Sequence, residues 1–90
     1  MELGIVRAEM FTCPVCAYDR LPAPPADFTI CPCCGVEFEY DDATKSHAQL
    51  RSEWIAAGMK WFSREVTSPD GWNGWKQLAR GGFVSESINA

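Results

Sequence analysis

The segment 36–40 alternates strictly between apolar and polar residues, with two aspartates directly after it. A period of two is typical of a half-buried β-strand. We therefore expect the apolar side chains to face the core and the glutamates to face solvent, with the aspartates extending the acidic face. The apolar residues are Val36, Phe38 and Tyr40, and the acidic residues are Glu37, Glu39, Asp41 and Asp42.

A helical pattern of apolar residues begins near residue 46. A serine followed three residues later by a glutamine is a capping-box pattern, and the apolar residues after it lie on one helical stripe. Gly58 suits the left-handed position that ends a helix, which would let Met59 fold back onto Trp54. The capping pair is Ser46 and Gln49, and the stripe is Leu50, Trp54 and Ala57.

A second, shorter helix is predicted over about 73–80, after a Ser-Pro-Asp-Gly turn at 68–71 and before the stop signal Gly81-Gly82. Its inward side chains would be Trp72, Trp75 and Leu78. Together with Trp54 and Trp61, these tryptophans favour a small helical core over an exposed binding platform. Shorter extended segments are expected at 5–6, 11–13 and 27–30, and the proline-rich segment 18–26 is predicted to be a surface loop.

Two Cys-x-x-Cys pairs, Cys13/Cys16 and Cys31/Cys34, are separated by fourteen residues. This spacing is typical of a four-thiolate metal site, in which each pair holds one side of a tetrahedral ion. Four protein ligands leave no position for water or substrate, so we interpret the metal as one structural Zn²⁺. Two such pairs also build the single-iron site of rubredoxin, and iron is the competing metal.

Each pair is followed by a residue that a metal knuckle often places in the left-handed conformation. Gly35 suits that position after the second pair, whereas Ala17 after the first pair implies a strain of about 1 kcal/mol or a different turn. Backbone amides inside such a knuckle are expected to point at the sulfurs and to offset thiolate charge.

The fifth cysteine and the single histidine lie outside this pattern. Cys33 cannot easily join Cys31 and Cys34 on one ion without breaking the knuckle, so we expect its side chain to point outward. An alternative ligand and a reactive thiol are the other possibilities. His47 falls on the first turn of the first helix, where we expect it to be solvated. Neither pattern predicts a catalytic site.

Length and composition are those of one globular domain covering residues 1–90. The N-terminal segment has an early acid and no long apolar core, unlike a secretory signal, so we expect a cytoplasmic protein with reduced thiols. The formal charge is -4; four thiolates and one Zn²⁺ change it to -4 - 4 + 2 = -6. A net negative charge disfavours nucleic acid as a partner and favours a basic protein.

Several motifs resemble those of small bacterial cysteine-rich proteins of the CPCC type, from about residue 11 to 80. The resemblance implies a zinc ribbon and its metal, although Ala17 stands where the group has glycine. Members have no established activity, and several proteins of this kind are proposed to serve toxin–antidote systems. The motifs are Phe-Thr-Cys-Pro-Val-Cys, Cys-Pro-Cys-Cys-Gly-Val-Glu-Phe, Tyr40-Asp41-Asp42, Arg51 to Ile55, Gly58, Lys60 to Ser63 and Trp75 to Leu78.

The sequence as a whole predicts an α+β zinc ribbon with rubredoxin-like knuckles and short antiparallel strands, followed by one long and one short α-helix. The leading functional hypothesis is a non-enzymatic protein-binding module, as an immunity or antidote protein against a basic toxin domain, without membrane contact. Its partner-binding residues would be Glu37, Glu39, Asp41 and Asp42. The alternatives are a nucleic-acid-associated zinc ribbon in transcription or translation and a rubredoxin-like electron carrier.

Overall fold

The structure, a computed structural model, describes residues 10–84. A 3₁₀ turn, Asp41–Ala43, is followed by helix α1, His47–Ala56, and helix α2, Gly74–Arg80. The expected extended segment at 5–6 lies outside the described residues. Within the described range, neither helix combines the length and the apolar character needed to cross a membrane.

The expected antiparallel strands are wrong in extent: residues 10–84 contain only two isolated antiparallel bridges, Phe11 with Leu21 and Ile30 with Glu37. The chain turns immediately after the second bridge, because the N–H groups of Tyr40 and Asp41 both donate to the Glu37 carbonyl. Each bridge closes one Cys-x-x-Cys hairpin, here called a knuckle, and the described residues contain no ribbon sheet beyond these two bridges.

The predicted strand 36–40 is the clearest correction. Val36 and Phe38 are buried as expected, but Tyr40 is 67% exposed and not inward. Glu39 has φ +75, a left-handed conformation that no strand contains. The following aspartates cause the turn, since their carboxylates accept hydrogen bonds from the backbone N–H groups of Glu37 and Glu39.

Both ends of α1 confirm the sequence prediction. The Ser46 hydroxyl accepts a hydrogen bond from the Gln49 N–H at 3.0 Å, which caps the first turn. At the other end Gly58 has φ +101, and the N–H of Met59 donates to the Trp54 carbonyl at 2.9 Å. This left-handed cap folds Met59 back onto the helix. Leu50 and Trp54 are buried, whereas Ala57 is exposed and does not extend the buried stripe.

Helix α2 also lies where it was predicted. The Asn73 side chain accepts from the Lys76 N–H at 3.0 Å, and the helix ends at Gly81–Gly82. Leu78 is fully buried, but Trp75 is 49% exposed and not inward.

Three of the four tryptophans form the small core that the sequence suggested. Trp61 contacts the rings of Tyr18 and Trp72 edge-on, with centroids 5.5 and 5.4 Å away. Trp54 lies 6.3 Å from Trp72, and its Nε1 donates to the Lys60 carbonyl. The aromatic residues pack in one cluster with all five cysteines. The two Cys-x-x-Cys hairpins and the helical segment therefore share a single core.

Truncation of Trp54 tests this shared core. Trp54 is only 8% exposed, and removing a buried aromatic side chain costs about 3–5 kcal/mol, a large fraction of the stability of a small domain. We expect Trp54→Ala to lower the free energy of unfolding by that amount in urea denaturation followed by circular dichroism. The matched control is Trp75→Ala, which removes the exposed indole and should cost less than about 1 kcal/mol. Equal losses in the two variants would contradict the packing.

Candidate metal centre

Four cysteine sulfurs, those of Cys13, Cys16, Cys31 and Cys34, lie within 4.8 Å of one another. The sulfurs of Cys13 and Cys34 are 3.8 Å apart, and those of Cys16 and Cys31 are 3.7 Å apart. A tetrahedron with metal–sulfur bonds of about 2.3 Å has edges of about 3.8 Å. The predicted ligand set is thus brought together at a spacing that fits one metal ion.

The two knuckles present backbone amides to the sulfurs. The N–H groups of Val15 and Cys16 donate to Cys13 Sγ at 3.4 and 3.5 Å, and the Cys33 N–H donates to Cys31 Sγ at 3.4 Å. Amide donors lower the energy of a thiolate, because they place a partial positive charge against it. The amide donors to sulfur expected from the sequence are present in both knuckles.

The residue after each Cys-x-x-Cys pair is left-handed. Ala17 has φ +72 and Gly35 has φ +81, so the first knuckle keeps the usual turn and accepts the strain of alanine. Gly35 is also required by space, since a Cβ there would lie 2.5 Å from the Phe62 ring. The Ala17 methyl group is buried against the C-terminal end of α2, where Gly81 leaves room for it.

Crowding of the sulfurs controls their protonation. The contact between Cys13 and Cys16 is the largest influence on both thiols: it lowers the pKa of Cys13 and raises the pKa of Cys16. Contact with Cys13 likewise raises the pKa of Cys34. Burial adds to the cost of each further charge. Four thiolates in this space require a cation among them, which is the chemistry of a metal site.

The position of Cys33 corrects the expectation that it points outward. Its side chain is 0% exposed, and it is not one of the four clustered sulfurs. The Gln77 side chain, itself only 3% exposed, donates from Nε2 to Cys33 Sγ at 3.3 Å and to the Cys16 carbonyl at 2.9 Å. Trp72 Nε1 donates to Gln77 Oε1 at 2.9 Å. Gln77 therefore links α2 to both knuckles with every side-chain hydrogen-bonding group used.

The contacts of Gln77 also fix the orientation of its amide. The Cys16 carbonyl can only accept a hydrogen bond, and the indole N–H of Trp72 can only donate one. The amide nitrogen must face the knuckle and the amide oxygen must face Trp72. Cys33 consequently receives an N–H donor and acts as a buried acceptor between the ligand pair of its own knuckle.

His47 is less solvated than the sequence suggested. Its Nε2 lies 2.8 Å from Asp42 Oδ2, and this hydrogen bond holds the pKa of Asp42 below its ordinary value. The other carboxylate oxygen of Asp42 accepts from the Glu39 N–H at 2.6 Å. Asp42 thus connects the second knuckle to the start of α1, and His47 takes no part in the sulfur cluster.

The proposed partner-binding acids surround the end of the second knuckle. Asp41 Oδ2 accepts from the Glu37 N–H at 2.8 Å, and Glu39 Oε2 accepts from the Asp27 N–H at 3.1 Å. Asp41 and Asp42 are half-buried, and Glu39 is exposed. Most of this acidic group therefore caps nearby backbone amides, in addition to carrying charge on the surface.

Sequence reasoning missed two residues that contact the knuckles from the helices. Gln77 is one, and the other is Arg51 on α1, whose guanidinium donates to the carbonyls of Pro14 and Val15, both at 2.8 Å. Neither has a local signal, because each contact joins positions at least 36 residues apart. The one sequence feature that hints at either contact is the position of Arg51 next to the buried Leu50 on α1.

Comparison with known proteins gives no independent support for a metal site. No family model, curated protein or solved structure matches the chain. The assignment of the site depends on its own geometry, and the likeness to CPCC-type proteins stays a prediction.

Separate substitution of Cys33 and Cys34 tests which of these adjacent cysteines is a metal ligand. Cys34→Ser removes one of four clustered sulfurs and should abolish stoichiometric metal binding. Cys33→Ser keeps an acceptor for Gln77 Nε2 and should leave the metal content unchanged, with a lower thermal midpoint because a buried thiol becomes a hydroxyl. Metal per chain would be measured by elemental analysis, alongside circular dichroism. Loss of metal from both variants would show that the ligands are assigned wrongly.

Proposed function

We propose that the chain is a non-enzymatic zinc protein that binds another protein, in the manner of an immunity or antidote protein of a bacterial toxin system. The observation that carries this proposal is the cluster of four cysteine sulfurs within 4.8 Å. All four ligands come from the chain itself, which is the pattern of structural zinc rather than of a catalytic ion with an open position.

Bound to this cluster, a zinc ion would be held by Cys13, Cys16, Cys31 and Cys34 and would supply the positive charge that four thiolates require. It would also join the two hairpins, each of which has only one isolated bridge of its own. A small domain with so little sheet depends on such a link, and metal binding then becomes part of the folding free energy.

The surface beside the second knuckle supports a protein partner. Ile30 and Glu37 are paired across the bridge, so their side chains lie next to each other on one face. Ile30 and the nearby Phe28 are exposed apolar residues. An apolar contact with carboxylates beside it suits a partner that offers apolar and basic side chains, as a basic toxin domain would.

Metal analysis tests the zinc assignment. We expect one zinc per chain in protein purified without added metal, and loss of the folded circular dichroism signal when a chelator removes it. Iron would give a red protein, and zinc gives a colourless one. An intact fold with less than half an equivalent of any metal would contradict the assignment.

Reversal of one charge tests the binding surface. Among the described residues, the Glu37 carboxylate accepts no hydrogen bond, so Glu37→Lys changes charge without removing a cap. Once a partner is identified by pull-down from the native cell, this variant should associate roughly tenfold more slowly at low salt, with a smaller effect at high salt. The control is Asp70→Lys, the same charge change on an exposed turn residue outside the groove that contains Ile30. Equal association rates for the parent and Glu37→Lys would place the interface elsewhere.

A further inference from the structure

In both knuckles, two backbone carbonyls between the paired cysteines accept hydrogen bonds, but the donors differ between the two knuckles. In the first knuckle the carbonyls of Pro14 and Val15 accept hydrogen bonds from Arg51 Nη2 and Nε, both at 2.8 Å. In the second, the carbonyls of Pro32 and Cys33 accept from the backbone N–H groups of the chain after α1, at 2.8 and 3.0 Å. One knuckle is thus held by a cation and the other by neutral amides.

The carbonyls that Arg51 binds belong to the peptide groups that face the metal site. The peptide joining Pro14 to Val15 offers its carbonyl to Arg51 and its N–H to Cys13 Sγ at 3.4 Å. The next peptide, joining Val15 to Cys16, does the same with an N–H at 3.5 Å. Two parallel chains of hydrogen bonds therefore run from one guanidinium through two peptide groups to one sulfur.

Hydrogen bonds in such a chain polarise one another, so a donor on the carbonyl strengthens the N–H at the other end of the peptide. The guanidinium is planar, permanently charged and able to bind both carbonyls at once, which a lysine ammonium cannot do with the same geometry. Its position is fixed further by the Phe83 ring, whose centroid lies 3.6 Å from the Arg51 Cζ atom.

We propose that Arg51 is a positioning residue of the metal centre, which stabilises the Cys13 thiolate through the two peptide groups of the first knuckle. The proposal deepens the zinc function and rests on it. Arg51 makes Cys13 a less electron-rich ligand than its neighbours, and it makes metal retention depend on the docking of α1.

Cobalt(II) reports on this effect directly, because a cobalt thiolate centre has a sulfur-to-metal charge-transfer band in the near ultraviolet, where zinc thiolates do not absorb. N–H donors withdraw electron density from sulfur, so weakening them moves this band to longer wavelength. We expect Arg51→Met to shift the band of the cobalt-loaded protein to longer wavelength and to lower zinc affinity by about 10- to 100-fold in chelator competition. Arg51→Lys retains the charge and should give a smaller shift.

The control is Leu50→Ala, which truncates the neighbouring buried residue of α1 and removes no hydrogen bond. It should lower the thermal midpoint and leave the charge-transfer band where the parent has it. An unchanged band in Arg51→Met, or the same shift in Leu50→Ala, would overturn the role of Arg51 and leave the zinc function standing. If Arg51→Met does not fold, Arg51→Lys decides by the same comparison. A parent protein without a four-thiolate cobalt spectrum would overturn the metal function and this inference with it.

Discussion

Repulsion between four cysteine sulfurs held within 4.8 Å is the constraint on which the rest of the molecule depends. Buried thiolates at this distance cannot all carry charge unless a cation lies among them and donors surround them. Backbone N–H groups of the two knuckles donate to the sulfurs of Cys13 and Cys31 and so offset part of the thiolate charge. The left-handed residue after each Cys-x-x-Cys pair turns the chain back so that the bridge of the same hairpin can form. At Ala17 this conformation carries strain.

The helical half of the chain is tied to this centre by polar contacts and is more than a hydrophobic cover. Arg51 and Gln77 bind carbonyls of the first knuckle, and Gln77 also reaches Cys33 in the second. Val15, Cys16 and Cys33 are fully buried, so their acceptor groups would otherwise lack a hydrogen bond and these contacts are costly to lose. Undocking either helix removes hydrogen bonds from the knuckles, and loss of the proposed metal would remove the framework on which both helices pack. We infer that the metal centre and the helices unfold as one unit.

How much the sequence could predict follows from how local each signal is. The clustering of the four paired cysteines, the Ser46 cap and the left-handed Gly58 depend on residues with short, regular spacings, and all three are where they were expected. The apolar–polar alternation over 36–40 is an equally local signal, but it does not determine the structure by itself. The carboxylates of Asp41 and Asp42 accept hydrogen bonds from backbone amides that a strand would offer to its neighbour.

Signals that depend on long-range contacts were missed for the same reason. Trp72 and Trp75 look alike in the sequence, yet only Trp72 meets Gln77 and the other indoles, while Trp75 points to solvent. The partners of Arg51 and Gln77 lie 36 to 61 residues away, so helical spacing alone could not assign them a role. Zinc itself was predicted from ligand chemistry, and the spacing of the sulfurs fits iron as well.

The fifth cysteine shows how a knuckle excludes a residue that has ligand chemistry. Cys33 is the residue whose N–H must point at Cys31 Sγ, and that requirement fixes the direction of its own side chain. The thiol stays outside the group of four sulfurs and is buried in the core beside Cys16, where Gln77 gives it a donor. A sulfur in this position cannot replace Cys34 without losing the amide that stabilises Cys31. The knuckle therefore selects its ligands by backbone geometry, and the chemistry of the side chain alone does not decide.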